Sequence, residues 1–412
     1  MNKEKRKVPK LRFPDCNRLW EEYRLADLLV ERSVLCTQSE KYPLVSFTVE
    51  SGVTPKTERY DREALVVGNK ASKKYKMTLV DDIVYNPANL KFGAIARNKY
   101  GNAVFSPIYV TLEVQTNIVF PKFIEYILTS KCFINRALRY QQGTVYERQS
   151  VNVESLLLQT INIPAKDEQI KISDLLYKFD QLLGLYKHKL EMLLLKKKAL
   201  LQKLFPKDRE RYPEFRFPGF TDAWEQRKLS DISTKVTTKN VDVHYTETLT
   251  NSAEQGIISQ VDFFDKEISN KDNINGYYIV DNNDFIYNPR ISTLAPVGPI
   301  NRNKLNRTGI ISPLYTVFRS SNVDLGFLEW YFQSSHWHRY MKLNGDSGAR
   351  ADRIAIKDST FFEMPIKFPV NIKEQVLIGE TLEKFNQYIT LHQRKLDHLQ
   401  LQKKALLQQM FV

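Results

Sequence analysis

The strongest hydrophobic pattern in the chain is a run whose positions alternate spacings of three and four residues. It passes through Leu176, Phe179, Leu183, Tyr186, Leu190, Leu193, Lys197, Leu200 and Leu204. A second run passes through Leu382, Phe385, Ile389, His392, Leu396, Leu399, Lys403, Leu406 and Met410. Alternation sustained over four heptads is the seam of a coiled coil, so each run predicts one long helix. The first should stop at Phe205-Pro206, where proline removes a donor and blocks the next turn. Residues 168–205 then form 38 residues of helix, about 57 Å at the helical rise. The remaining stretches, 1–165 and 207–369, read differently. Short apolar runs rich in Tyr, Phe, Ile and Val are broken by Gly, Pro and Asn, which predicts strands and loops with a few helices, an α+β domain. Residues 124–140 and 326–343 are the helical exceptions.

The two halves are one unit written twice. Pro9-Lys-Leu-Arg-Phe-Pro14, Trp20-Glu21 and Leu25-Ala-Asp27 recur as Pro213-Glu-Phe-Arg-Phe-Pro218, Trp224-Glu225 and Leu229-Ser-Asp231, at an ungapped offset of 204 with 8 of 19 positions identical. The order of matches continues. Ile83-Val-Tyr-Asn-Pro87 answers Phe285-Ile-Tyr-Asn-Pro289, and Gly93-Ala-Ile-Ala-Arg-Asn98 answers Gly298-Pro-Ile-Asn-Arg-Asn303. Ser106-Pro-Ile-Tyr109 answers Ser312-Pro-Leu-Tyr315, and Phe123-Ile-Glu-Tyr126 answers Phe327-Leu-Glu-Trp330. Glu168-Gln169 answers Glu374-Gln375, and Lys197-Lys-Ala-Leu-Leu-Gln202 returns unchanged at Lys403 to Gln408. Self-similarity along a whole half means duplication. The organisation is therefore a first α+β domain (1–165), a helix (166–206), a second domain (207–369) and a second helix (370–412). The two helices are expected to pair antiparallel in a pseudo-two-fold object, with 206–218 as a connector.

Charge narrows the class of partner. Lys and Arg number 61 against 47 Asp and Glu, a net +14, and the pI is near 9.4. Such a surplus favours a polyanion, nucleic acid first among them. Residues 1–10 carry Lys3, Lys5, Arg6, Lys7 and Lys10 with no apolar stretch behind them, which does not read as a secretory signal. No apolar run approaches the roughly 18 residues of a membrane span. Cys16, Cys36 and Cys132 are odd in number and form no paired spacing, as expected of reduced thiols in a cytoplasmic protein.

Catalytic signatures are missing from the sequence. No glycine-rich phosphate loop ending in Lys-Ser or Lys-Thr is present. His336 and His338, two apart, point to different helix faces, and no acidic or cysteine cluster completes a metal site with them. His392 falls on the seam and reads as packing. Tyr85-Asn86-Pro87-Ala88 and Tyr287-Asn288-Pro289-Arg290 resemble part of the Asn/Asp-Pro-Pro-Tyr/Phe motif of amino-methyltransferases. Both lack the second proline and the aromatic that follows it, so both read as strand-to-loop turns. The chain alone should have no catalytic residue and no cofactor of its own.

These residues carry a family likeness over nearly the whole chain. Arg-Phe-Pro, Trp-Glu and Leu-x-Asp open each domain. Gly143-Thr144 then leads to Ile163-Pro164 and Asp167-Glu168-Gln169, and Gly348-Ala-Arg350 leads to Phe368-Pro369 and Glu374-Gln375. The chain resembles the DNA-specificity subunits of type I restriction-modification systems, with one departure: Pro164 is followed by Ala-Lys-Asp-Glu-Gln rather than a proline-rich turn. The resemblance implies two target recognition domains on a central antiparallel coiled coil, reading double-stranded DNA. It also implies docking of two methyltransferase subunits and of restriction/translocase subunits, which would bring S-adenosylmethionine, ATP and Mg. Contacts to phosphates and base edges need basic and polar loop residues. Candidates in the first domain are Lys70, Lys73, Lys74, Lys76, Arg97, Lys99, Tyr146 and Arg148. In the second they are Arg290, Arg302, Lys304, Arg307, Arg350 and Arg353.

Other readings fit less of the sequence. A specificity subunit for a different methyltransferase-nuclease arrangement keeps the same chemistry. A tandem-domain regulator would need a helix-turn-helix, which is absent from the pattern. A bare coiled-coil scaffold leaves the charge and the duplicated domains unused. With two homologous but unequal readers the target is expected to be bipartite and asymmetric, its gap fixed by the helices. Domains reading the same face of the duplex would be spaced by roughly one turn, 10–10.5 base pairs centre to centre.

Overall fold

The computed structural model describes residues 8–55, 73–142, 149–207, 209–264, 271–347 and 352–411. The chain folds into two compact units. One comprises 1–186 together with 395–412, the other 187–394. The class is α+β, as the alternation of short strands and long seams predicts.

In the first unit a four-stranded antiparallel sheet runs in the order Leu29–Glu31, Val110–Val114, Ile83–Tyr85, Ile95–Arg97. The second unit repeats it as Ser233–Lys235, Thr316–Ser320, Phe285–Tyr287, Ile300–Arg302. Each sheet has an apolar strand at an inner position, buried on both faces. Side chains alternate across a strand, so Ile83 and Tyr85 enter the main core while Val84 enters a smaller one with Val45, Val53 and Phe105. Phe285 and Tyr287 divide from Ile286 in the same way. A two-stranded ribbon flanks each sheet, Glu21–Arg24 with Thr160–Ile163 and Glu225–Lys228 with Pro365–Phe368. The units diverge in their smaller sheets. A three-stranded sheet of Leu35–Thr37, Lys74–Thr78 and Ala103–Phe105 stands in the first, whereas separate pairs stand in the second.

The segments expected to be helical, 124–140 and 326–343, are helical but interrupted. Pro121–Leu128 ends at Thr129-Ser130, where the Ser130 hydroxyl accepts from the Phe133 amide and starts Lys131–Ala137 afresh. In the second unit Leu325–Gln333 ends before Ser334, and His338–Asn344 begins after Trp337. At Ser130 a local side-chain cap outcompetes helix continuation, whereas Trp337 starts its helix without a side-chain cap.

The long helices span Lys166–Lys203 and Ile372–Met410, 38 and 39 residues. All eighteen seam positions are buried or half-buried. In the first unit Lys403 pairs with Asp180 and Lys395 lies over Tyr186, so the sequence rises along one helix as it falls along the other. In the second unit Lys197 bonds Asn386 while Lys189 lies over Tyr388, the same antiparallel sense.

Each unit is closed by the end of the other helix. Met410 and Phe411 join the first core, where Phe411 stands 6.5 Å from Trp20 and 5.5 Å from Phe123 between ring centres. Leu204 and Phe205 do the same in the second, with Phe205 6.1 Å from Trp224 and 5.5 Å from Phe327. Repeated polar motifs lock the helix starts. The Arg12 guanidinium donates two bonds to Glu168, at 2.9 and 2.6 Å, and Arg216 donates two to Glu374, both 2.8 Å. Gln169 accepts from the Phe120 amide and donates to the Pro164 carbonyl. Gln375 accepts from Asp324 and donates to Pro369.

The equivalent seam lysines have unequal partners. Lys403 meets the Asp180 carboxylate below the Tyr126 ring, and the Tyr126 hydroxyl donates to the same carboxylate at 2.7 Å. Lys197 donates to the Asn386 amide oxygen at 2.7 Å, with the Trp330 ring centre 4.9 Å away, and no carboxylate of the described residues bonds it. Burial holds the Lys197 ammonium below its ordinary 10.5, partly offset by Glu383.

Replacing Phe205 with Ala is expected to cost about 3–5 kcal/mol, a cavity in a full core. Phe411→Ala should cost less, because Phe411 is half-buried. Chemical denaturation of the two variants checks the order. Lys197→Leu should raise the melting temperature, since it removes a half-buried cation that has no carboxylate bonded to it. As pH rises the folded state loses the Lys197 proton before the unfolded state does, so the wild type should gain on this variant until pH passes 10.5. Lys403→Leu strips Asp180 of its cation and should cost about 1 kcal/mol or less. Melts in which Lys197→Leu keeps its full advantage from neutral to alkaline pH would contradict a depressed Lys197 ammonium.

Candidate nucleic-acid interface

The tight connections that carry the candidate residues are set by repeated Asn and Gly positions. Asn86 accepts from the Ala88 amide at 3.1 Å and Asn288 from the Arg290 amide at 3.0 Å, so each Asn-Pro closes a turn at the end of its strand. The Tyr85 and Tyr287 hydroxyls are held by the carbonyls of Val151 and Val297. Gly298 has φ +83, and a Cβ there would lie 2.1 Å from the Asn288 carbonyl oxygen. The turn after Asn288 therefore requires glycine. Asn98 is fully buried. Its amide nitrogen donates to Leu79 and Gly101 carbonyls while its oxygen accepts from Tyr100 and Gly101. Asn303 bonds Asp281, Arg307 and Leu305 in the same manner. These two asparagines shape the loops beside Lys99 and Lys304.

Four candidate cations are held by a repeated carboxylate. Arg97 bonds Glu125 at 2.9 Å and also Asp81, and Lys99 bonds Glu125 at 2.7 Å. In the second domain Arg302 and Lys304 bond Glu329 at 2.8 and 2.9 Å. Glu125 and Glu329 stand in the repeated Phe-Ile/Leu-Glu-aromatic motif, a signal legible in the sequence whose cationic partners were not. Arg307 forks onto Glu247 with two bonds of 2.7 Å, and Lys76 reaches Glu31 at 2.6 Å.

Lys73, Lys74, Arg290 and Arg353 are exposed. Lys73 rests 5.4 Å from the Tyr75 ring centre, and Arg290 and Arg353 face each other across an antiparallel bridge. Lys70, Tyr146, Arg148 and Arg350 lie outside the described residues. Deeper in each domain, Arg32 bonds Asp82 with 2.9 and 3.2 Å contacts, and Arg319 holds Asp284. Burial pushes the Asp82 carboxyl up despite Arg32. Burial also pushes His338 down to about 4, with Lys342 and His336 adding to the effect, so it is neutral near pH 7. No group of three or more His, Cys, Asp or Glu able to hold a metal occurs among the described residues. No helix of the described residues is long and apolar enough to cross a membrane.

No protein-family model matches the sequence, and no curated protein matches it. Solved structures do. The type I restriction-modification S subunit from M. genitalium superposes with a TM-score of 0.59 at 15% identity, covering 98% of this chain and 99% of that one. A chain from a study of complex assembly and conformational transition of the type I R-M system gives 0.52 at 16%, covering 96% and 98%. Two duplicated α+β domains, each closed by the end of the other's helix, together make up the fold of a type I restriction-modification S subunit.

Proposed function

We propose that this chain is the non-catalytic DNA-recognition subunit of a type I restriction-modification complex, each domain reading one half of a bipartite target. The reading is carried by the likeness to the M. genitalium S subunit along nearly the full length of both chains. A match confined to one domain would speak only for a module; this one includes both domains and both helices. The net charge of +14 supports a polyanionic partner. The unequal loops, Lys91-Phe-Gly93 against Ser292 to Gly298, support unlike half-sites.

In this reading the helices also offer docking faces to two methyltransferase subunits, and restriction/translocase subunits join them in the cytoplasm. S-adenosylmethionine, ATP and Mg belong to those partners. Among the described candidates, Lys73, Lys74, Arg290 and Arg353 are the first to meet DNA. Lys76, Arg97, Lys99, Arg302, Lys304 and Arg307 must each exchange a carboxylate for a phosphate or a base.

The purified chain, free of other subunits, should bind neither ATP nor S-adenosylmethionine in calorimetry and should neither methylate nor cleave DNA. Methyl transfer by the chain alone would overturn the assignment. Exchanging residues 207–369 for the corresponding domain of another specificity subunit, in cells that supply the partner subunits, should change one half-site and leave the other. Mapping of modified bases reads the result, and a change in both halves would sink the two-reader scheme.

A further inference from the structure

Arg290 and Arg353 occupy directly opposed positions of an antiparallel bridge. The flanking bonds run from the Ile291 amide to the Asp352 carbonyl, 2.8 Å, and from the Ile354 amide to the Pro289 carbonyl, 2.9 Å. Opposed residues framed in this way form a non-hydrogen-bonded pair, whose Cα atoms sit about 4.5 Å apart with side chains on one side. Both arginines are exposed. Arg97, Arg302 and Arg307 all have carboxylate partners, whereas no carboxylate of the described residues bonds Arg290 or Arg353. Like charges placed directly opposite each other destabilise a pair of strands. Among the described residues no carboxylate offsets that cost.

The fold does not require the arrangement. In the first domain the Val151 amide bonds the Pro87 carbonyl at 3.2 Å, the same junction, but Ala88 and Ser150 stand where the second domain has Arg290 and Arg353. The backbone juxtaposition is thus inherited from the duplication, and the charges are an addition to one copy. They stand on a firm support. Ile354 is buried in the main core with Ile291 packed against it, and Ser292 and Ala295 exchange two backbone bonds of 3.0 and 3.1 Å in the adjoining loop.

We propose that Arg290 and Arg353 form a two-guanidinium clamp that grips one backbone phosphate of duplex DNA beside the half-site read by the second domain. The proposal rests on the reading of the chain as a DNA-recognition subunit. A phosphate supplies the negative charge that both side chains lack, and planar guanidinium forks match its oxygens. A phosphate clamp adds affinity at any sequence and leaves base preference to other residues.

The test is fluorescence anisotropy of the full-length chain with a mixed-sequence duplex, between about 50 and about 200 mM salt. The wild type should bind with a steep salt dependence. The double variant Arg290→Gln/Arg353→Gln should bind more weakly, its slope of log K against log salt shallower by about 0.9, the loss of one phosphate contact. Arg290→Lys/Arg353→Lys should recover most of that slope. Melting temperatures of the glutamine variants without DNA should be unchanged or raised, because repulsion is relieved. An unchanged slope in the glutamine variant overturns the clamp while leaving the DNA reading intact. Failure of the lysine variant to recover the slope also overturns it and points to a base contact. A wild-type chain that binds no duplex at low salt overturns the DNA reading itself.

Discussion

Phe411 packed against Trp20 and Phe123, and Phe205 packed against Trp224 and Phe327, are the contacts on which both domains depend. Neither core is complete within its own stretch of chain. The first closes only when residues 406–411 arrive from the end of the second helix, and the second closes with residues 200–205 from the end of the first. Burial of an aromatic ring contributes a few kcal/mol to a domain whose net stability is itself only several-fold larger. Folding of each domain is therefore coupled to formation of the helix pair, and the pairing of the helices in each unit is held by hydrophobic cores as well as by the seam.

Polar residues give this closure its geometry. The bonds from Arg12 to Glu168 and from Arg216 to Glu374 tie each entering arm to the first turn of a long helix, where a carboxylate also suits the helix dipole. Gln169 and Gln375 join the same helix turn to the preceding loop and to the amide at the start of the short helix beside it. A buried charge left without its partner is costly, so these residues recur in both halves where many surface positions have drifted. The seam lysines show how far duplication permits divergence. Both retain an aromatic ring beneath the ammonium, but Lys403 has Asp180 opposite it and Lys197 has Asn386.

Charge on the domains falls into two kinds. Arg97, Lys99, Arg302 and Lys304 surround a glutamate that the duplication preserved in both copies, and they brace the edge of the main sheet against a short helix. Arg290 and Arg353 belong to one copy only and oppose each other in solvent. The first kind stabilises the scaffold. The second places like charges directly opposite each other, an arrangement that disfavours strand pairing and that an anion would relieve. A shared scaffold with unshared surface charge agrees with the proposed reading of two unlike half-sites.

Sequence alone was enough to establish the duplication, the two long helices and the seam positions, because helical periodicity and repeated motifs are local properties of the chain. It also marked Asn86-Pro87 and Asn288-Pro289 as turns, since Asx geometry is intrinsic to asparagine, whereas the need for glycine at 298 became visible only in the fold. Tertiary structure decided which helix end completes which domain. Lys-Lys-Ala-Leu-Leu-Gln is identical in both helices, so no local feature distinguishes residues 403–408 from 197–202 as a partner for the first core. It also decided which cations are engaged and which are not. Arg97 and Arg353 look alike in sequence, and only the position of Glu125 beside one and of Arg290 beside the other separates them. Such pairings join residues far apart along the chain, and their Coulomb energies depend on distances that only the packed fold sets.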